Sequence, residues 1–295
     1  SLRSCFVIKN KMDDQMTLTK KNWIVVAVTT VLLLIVISIF LFWNHQRNAK
    51  TVTSAPSNPT PAAEKAEVLP YLNMQQSKAN YALPFCEKKN CIDLDVQTIQ
   101  TQDQWLNAWI AKNQAHVIQQ QIGQNQNLNL QQAIDAYVKK SDVWQEKYSI
   151  NKAYEFHLNT RIASQRNQYV LLQIGVDTQQ EELAVKDRSY FFVADRKSQK
   201  NVSVLDIIQK TQQNSMNDII QTAYQKWLEQ QSTEVKNQVP KKLYWGQADW
   251  FFDGEGIGLH YRANEISKDA PQLDIYLTTA QSRQILQPEI YLQMF

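Results

Sequence analysis

One run limits what the rest of the chain can be. Residues 23–43 read WIVVAVTTVLLLIVISIFLFW, 21 residues without a charge, a proline or a glycine. As a helix rising ~1.5 Å per residue the run is about 31 Å long, close to the ~30 Å hydrocarbon core of a bilayer. It predicts a transmembrane helix, because a buried helix of a globular domain rarely stays apolar on every face for this length. Trp23 and Trp43 stand where interfacial aromatic belts form. A cleaved signal peptide has an apolar region of about 7–15 residues followed by a small-x-small site. Here the exit is Asn44-His45-Gln46-Arg47, which favours an uncleaved signal anchor. Arg3, Lys9, Lys11, Lys20 and Lys21 precede the run, whereas only Arg47 and Lys50 follow closely. This bias predicts a single pass through a bacterial inner (cytoplasmic) membrane, with the N-terminus cytoplasmic and the C-terminal part periplasmic. Met12 and Met16 are candidate start residues, so the cytoplasmic arm covers at most residues 1–22.

Composition becomes informative once the chain is divided at this anchor. Of the residues behind the formal charge of +3, residues 1–70 carry eight basic and four acidic, leaving 23 basic and 24 acidic in residues 71–295. The outer part is near neutral and lacks the basic field that nucleic-acid binding requires. A hydrophobic content of 43% excludes a disordered chain, and only six glycines leave little material for phosphate-cradling loops. Residues 44–70 are polar and rich in Ala, Pro, Ser and Thr, without apolar periodicity. They read as a flexible linker with a mean span of roughly 30 Å. The lipid bilayer is thus a partner through residues 23–43, and residues 71–295 form the periplasmic domain.

Cys86 and Cys91 bracket the polar insert Glu87-Lys88-Lys89-Asn90 in an oxidising compartment, which predicts a disulfide stapling a strand entry or hairpin. A zinc site would need a second cysteine pair or histidines at ligand spacing, and neither is present. Cys5 falls on the cytoplasmic side. Farther on, Ile92, Leu94, Val96 and Ile99 suggest a strand. Asp103 and Asn129 are placed to cap two helices, the first carrying Trp105, Leu106, Trp109, Ile110, Val117 and Ile118. Tyr154 to Leu158, Tyr169 to Val176, Ser189 to Asp195, Trp250 to Phe252, Ile257 to Tyr261 and Leu273 to Leu277 read as strands. Ser203-x-x-Asp206 and Ser215-x-x-Asp218 resemble helix-start boxes, and a last short helix is expected to end before Pro288. The many glutamines of 97–132 and 209–231 are expected on solvated helix faces. Helices and strands in blocks, without regular βαβ alternation, predict an α+β fold with an antiparallel sheet packed by helices.

The chemistry-bearing signals are weak. Gly254-Glu255-Gly256-Ile257-Gly258 continues into Leu259-His260-Tyr261 as strand, so it reads as a hairpin turn and not a dinucleotide loop. Asp249, Asp253 and Glu255 with His260 form the best acidic cluster for a carboxylate-pair hydrolase or a cation site. Solvated turn carboxylates are much the commoner source of such a cluster. Ser149-Ile150-Asn151-Lys152 matches S-x-x-K in letters, but at a strand start, where residues three apart face opposite sides. Of the six outer tryptophans, Trp105, Trp109 and Trp227 fit helix core stripes. Trp245 and Trp250 flank the glycine-rich turn, where one exposed ring would serve as a binding anchor. No catalytic constellation, cofactor or metal site is assigned.

Three stretches together carry a resemblance. Cys91 to Val117, Arg188 to Ile208 and Phe251 to Leu286 resemble, in order, the strand-then-helix entry, the strand–turn–Ser-led helix segment and the C-terminal unit of RsiV-type extracytoplasmic domains. In the last, Gly258-Leu259, Glu265-Ile266, Leu273 to Leu277 and Ala280 to Leu286 match. The resemblance implies helices against an antiparallel sheet, as in membrane-anchored anti-sigma factors that sense lysozyme and in cell-wall deacetylase extensions. Two departures limit it. Gln180-Glu181-Glu182-Leu183-Ala184 replaces a Gly-Gly-Ala-His segment, and an arm of at most 22 residues is short for a sigma-sequestering domain. The expectation is a non-catalytic envelope binding domain whose ligand is a cell-wall enzyme such as lysozyme or peptidoglycan. The alternative is a hydrolase of cell-wall glycan using Asp253 or Glu255 with His260.

Overall fold

Tyr169 to Gln180 explains the architecture best. Its first four residues, Tyr169-Val170-Leu171-Leu172, are all buried, and from Gln173 onward burial alternates. A strand buried on both faces reads as a continuous apolar run, and one covered on a single face alternates. The change of pattern marks where the cover on one face stops.

The structure is a computed structural model that describes residue 69, residues 71–87 and residues 90–295. The arm 1–22, the anchor 23–43 and all of the linker 44–70 except residue 69 lie outside the described residues. Among the described residues no helix is long and apolar enough to cross a membrane. In chain order the elements are β1 (Gln75–Lys78), β2 (Asp93–Gln100), α1 (Gln104–Gln121), α2 (Leu130–Lys147), β3 (Glu155–Arg166), β4 (Tyr169–Gln180), β5 (Leu183–Asp195) and β6 (Lys200–Val202). There follow α3 (Val204–Ile207), α4 (Gln213–Glu229), α5 (Thr233–Gln238), β7 (Asp249–Phe252), β8 (Ile257–Tyr261), β9 (Leu273–Tyr276), α6 (Thr279–Ile285) and α7 (Pro288–Met294).

The α+β class holds, with a six-stranded sheet in the order β1-β2-β3-β4-β5-β6 and a three-stranded sheet β7-β8-β9. The expectation of a purely antiparallel sheet needs correction, because β2 and β3 run parallel while the other neighbours are antiparallel. The α1–α2 pair lies between β2 and β3 and supplies the crossover that a parallel pair requires. Asp103 caps α1 by accepting from the Leu106 amide, and Asn129 caps α2 in a reciprocal box with Gln132. Ser215 is not a cap: α4 begins at Gln213, and the Ser215 hydroxyl bonds to Gln212 within its first turn. Pro288 begins a further helix, as a proline at the first helical position can.

Two cores flank the large sheet. On one face Leu94, Val96, Phe156, Leu158, Val170, Leu172, Ile174 and Tyr190 pack against Leu106, Ile110, Ile134 and Tyr137 of α1 and α2. On the other, Tyr169, Leu171 and Val193 meet the C-terminal unit through residues such as Tyr224, Trp245, Phe252, Leu259 and Ile285. Gln114 and Gln119 are buried, contrary to the solvated placement expected for the glutamines of this stretch. Burial is tolerated because Gln114 donates to the Thr160 hydroxyl and Gln119 donates to the Ala115 carbonyl and accepts from the Gln126 amide. The Cys86–Cys91 disulfide is formed just before β2. The β4–β5 turn places Glu181 at φ 48°, a region a side chain occupies at a cost, and the Tyr154 hydroxyl donates to its carboxylate.

His116, on α1, accepts a hydrogen bond from the Gln120 amide nitrogen through Nε2 (2.8 Å). Burial, assisted by the Arg262 charge, pushes its pKa below the ordinary value. A histidine depressed in the folded state contributes stability that is complete above its unfolded pKa and is lost as pH falls through the folded one. Wild-type stability should therefore drop below about pH 6.5, and His116→Gln should lack that part of the drop. Urea unfolding at pH 7.5 and pH 5 checks it; equal pH dependence in both chains would contradict it.

Candidate binding groove

The small sheet is built around a ring that needs a missing side chain opposite it. Phe251 pairs with Gly258 across β7 and β8, and a Cβ at Gly258 would overlap the Phe251 ring. The ring is held on both sides, with Phe191 of β5 at 5.3 Å and Tyr276 of β9 edge-on at 5.2 Å between centroids. This aromatic bridge joins β5 to the three-stranded sheet.

A charged clamp closes the same joint. Asp249 accepts two hydrogen bonds from Arg262 (3.0 and 2.7 Å) and one from the Phe191 backbone amide (3.0 Å). The Arg262 guanidinium also pairs with Glu265 at 2.9 Å and lies 4.5 Å above the Tyr190 ring. Burial pulls the guanidinium pKa down, but the Asp249 charge and hydrogen bonds outweigh it and hold the pKa above its ordinary value. Bidentate geometry of this kind is specific to arginine.

Asp253 is committed to the β7–β8 turn. One of its oxygens accepts the amides of Glu255 (2.8 Å) and Gly256 (3.2 Å), and the other accepts the Tyr276 hydroxyl (2.7 Å). Desolvation together with the Asp253 charge raises the Tyr276 phenol above its usual range. The His260 side chain is 1% exposed. Its Nε2 meets the Ser189 carbonyl at 3.0 Å and its Nδ1 meets an Asp274 oxygen at 2.5 Å. A carbonyl only accepts, so Nε2 carries a proton and donates.

Beside these residues, the face of the large sheet opposite α1 and α2 is open where the C-terminal unit ends. Two adjoining hollows, of ≈ 250 Å³ and ≈ 300 Å³, share Arg161, Gln173 and Ser189. The first is walled by Phe191, Phe251, Asp253, Asp274 and Tyr276; the second runs on across Asn159, Gly175 and Asp177. Arg161 donates to Gln173 at 2.8 Å, and Gln173 donates to the Ser189 hydroxyl at 3.0 Å, a relay spanning β3, β4 and β5.

Of the residues singled out from sequence, Asp253 and His260 come together on this groove, and Glu255 is exposed on the adjoining turn. Trp245 and Trp250 are 2% and 3% exposed, so neither is a surface anchor. Trp245 fills the C-terminal core, and the Trp250 indole donates to the Val202 carbonyl. Among the described residues no group of three or more His, Cys, Asp or Glu side chains is arranged to hold a metal ion. Sequence reading missed the groove floor, Arg161, Gln173, Gly175 and Ser189. Its signal was present: polar residues at every second position of β3 and β4, on the face that a second layer covers farther along.

Solved structures share this fold. A DUF3298 family protein from Pseudomonas aeruginosa PAO1 matches with a TM-score of 0.55 at 13% identity, over 75% of this chain and 97% of that one. A DUF3298 family member from Bacteroides fragilis matches with a TM-score of 0.51 at 13% identity, over 76% and 97%. No family model matches the sequence, and no curated protein matches it.

The clamp makes a specific demand. Asp249→Ala leaves Arg262 with Glu265 and the Tyr190 ring, so the loss should be roughly 3 kcal/mol, the lower end for breaking a buried pair. A shift in urea midpoint corresponding to less than about 0.5 kcal/mol, the range of an ordinary surface substitution, would contradict the clamp's role.

Proposed function

We propose that the chain is a single-pass protein of the bacterial cytoplasmic membrane that holds residues 71–295 in the periplasm as a non-catalytic binding or sensor domain. Its ligand is peptidoglycan or a cell-wall enzyme such as lysozyme. The observation that carries the reading is the open polar groove, in which the acid–base side chains beside it are already spent on the fold. Asp253 secures a turn and a tyrosine, and His260 has both ring nitrogens engaged beneath the surface. A general acid or base needs a proton it can exchange with substrate. The apolar run 23–43 and the positive bias before it support the anchor, and the fold shared with DUF3298 family proteins is compatible with an RsiV-type domain.

The full chain in phospholipid nanodiscs, immobilised and challenged with hen lysozyme and with purified peptidoglycan, should retain at least one of them. Retention of neither would remove both ligands. Measurable release of sugar from peptidoglycan, abolished in His260→Gln, would replace the binding reading with the hydrolase.

A further inference from the structure

The groove contains a glycine that the fold does not need. Gly175 lies inside β4, where a glycine costs stability and commonly marks a bend or the close approach of a ligand. Its backbone does not require it, since the positive-φ glycines are Gly123 and Gly256. The β4–β5 irregularity falls farther along, between Val176 and Thr178. Packing does not require it either: a Cβ at Gly175 would meet no heavy atom within 4 Å, whereas at Gly246 or Gly258 it would collide with an aromatic ring.

Register turns this gap into a channel. Asn159, Gly175 and Ser189 stand opposite one another on β3, β4 and β5, forming a low row across three strands. The next row is Arg161, Gln173 and Phe191, beyond which the Phe251 and Tyr276 rings rise. On the other side stands Asp177, with one oxygen taken by the Asp187 amide (2.7 Å). Among the described residues the terminal nitrogens of Arg161 and the outer oxygen of Asp177 make no hydrogen bond. Donors and acceptors therefore face each other across an empty floor.

We infer that this groove binds an oligosaccharide laid across β3, β4 and β5, one sugar ring over Gly175 and a neighbouring one against Phe191 and Tyr276. This deepens the binding reading above and rests on it. Planar amide, guanidinium and carboxylate groups match the mixed donors and acceptors of sugar hydroxyls, and Tyr276, 42% exposed, offers an aromatic face to ring C–H groups. The other occupants fit worse. Asp177, Asp187, Asp253 and Asp274 surround the single Arg161, so a polyanion is repelled. The floor is too polar for a lipid chain or the apolar stripe of a helix. An added peptide strand needs a free edge, whereas β4 is paired on both sides.

The test uses calorimetric titration of the full chain in phospholipid nanodiscs, which avoids sugar-headed detergents, with N-acetylglucosamine hexamer and with maltohexaose. Wild type should bind at least one of them, and which one distinguishes an amino-sugar polymer from a plain glucan. Gly175→Leu should melt no lower than wild type yet bind at least about tenfold more weakly. Asn159→Trp, at an exposed position in the same row, should weaken binding likewise. The inference is overturned if neither hexamer binds, if both variants bind as wild type does, or if Gly175→Leu melts several degrees lower. Lysozyme binding lost in Gly175→Leu without hexamer binding would make the groove a protein interface and also overturn it. If both chains retain peptidoglycan equally, the groove is excluded while the envelope-binding reading stands; if wild type retains neither peptidoglycan nor lysozyme, that reading itself fails.

Discussion

Burial of β4 on both faces over its first four residues, and on one face over the rest, is the constraint on which the architecture depends. The run Tyr169-Val170-Leu171-Leu172 has no solvated side. It must be sandwiched, between α1 and α2 on one face and the C-terminal unit on the other. From Gln173 onward the strand alternates, because α1 and α2 continue to cover one face while the other opens to solvent. The matching change in β5 comes at Val193-Ala194, adjacent buried residues that stand opposite Leu171 and Val170. The groove is therefore a consequence of two layers of unequal length covering one sheet.

What fixes the edge of the shorter layer is local and specific. Phe251 fits only because Gly258 lacks a side chain, and it interleaves with Phe191 and Tyr276. Asp249 ties Arg262 to the Phe191 backbone. These contacts hold the aromatic wall at a defined distance from the Arg161–Gln173–Ser189 relay. A groove supported in this way is preformed, so the proposed ligand would bind at little ordering cost.

Much of the fold was legible in the sequence, and for identifiable reasons. Asp103 and Asn129 announced α1 and α2 because each side-chain oxygen satisfies an otherwise orphaned amide. The strands of the core showed themselves through apolar period or continuity. β1 did not, because Gln75-Gln76-Ser77-Lys78 is exposed throughout and holds its place by backbone pairing with β2. The parallel β2–β3 pair was hidden because register between distant segments leaves no local trace. Trp245 and Trp250 misled for a related reason: large aromatics near a turn suit an anchor and a core equally, and the second layer that buries them is assembled from distant residues. At the groove, Asp253 and His260 were visible as chemistry, while the floor was a pattern of small and polar residues whose meaning depends on the neighbouring strand.

On the proposed reading the open part of this sheet, and not another exposed surface, meets the ligand. The molecule carries its own control, because Phe85 and Ile150 are each 87% exposed near the disulfide. Hydroxyl-radical footprinting of the full chain with and without saturating N-acetylglucosamine hexamer compares the two surfaces directly. Reduced oxidation of Tyr276 and Phe191, with Phe85 and Ile150 unchanged, is the predicted result. Protection at Phe85 and Ile150 while Tyr276 stays reactive would contradict the account.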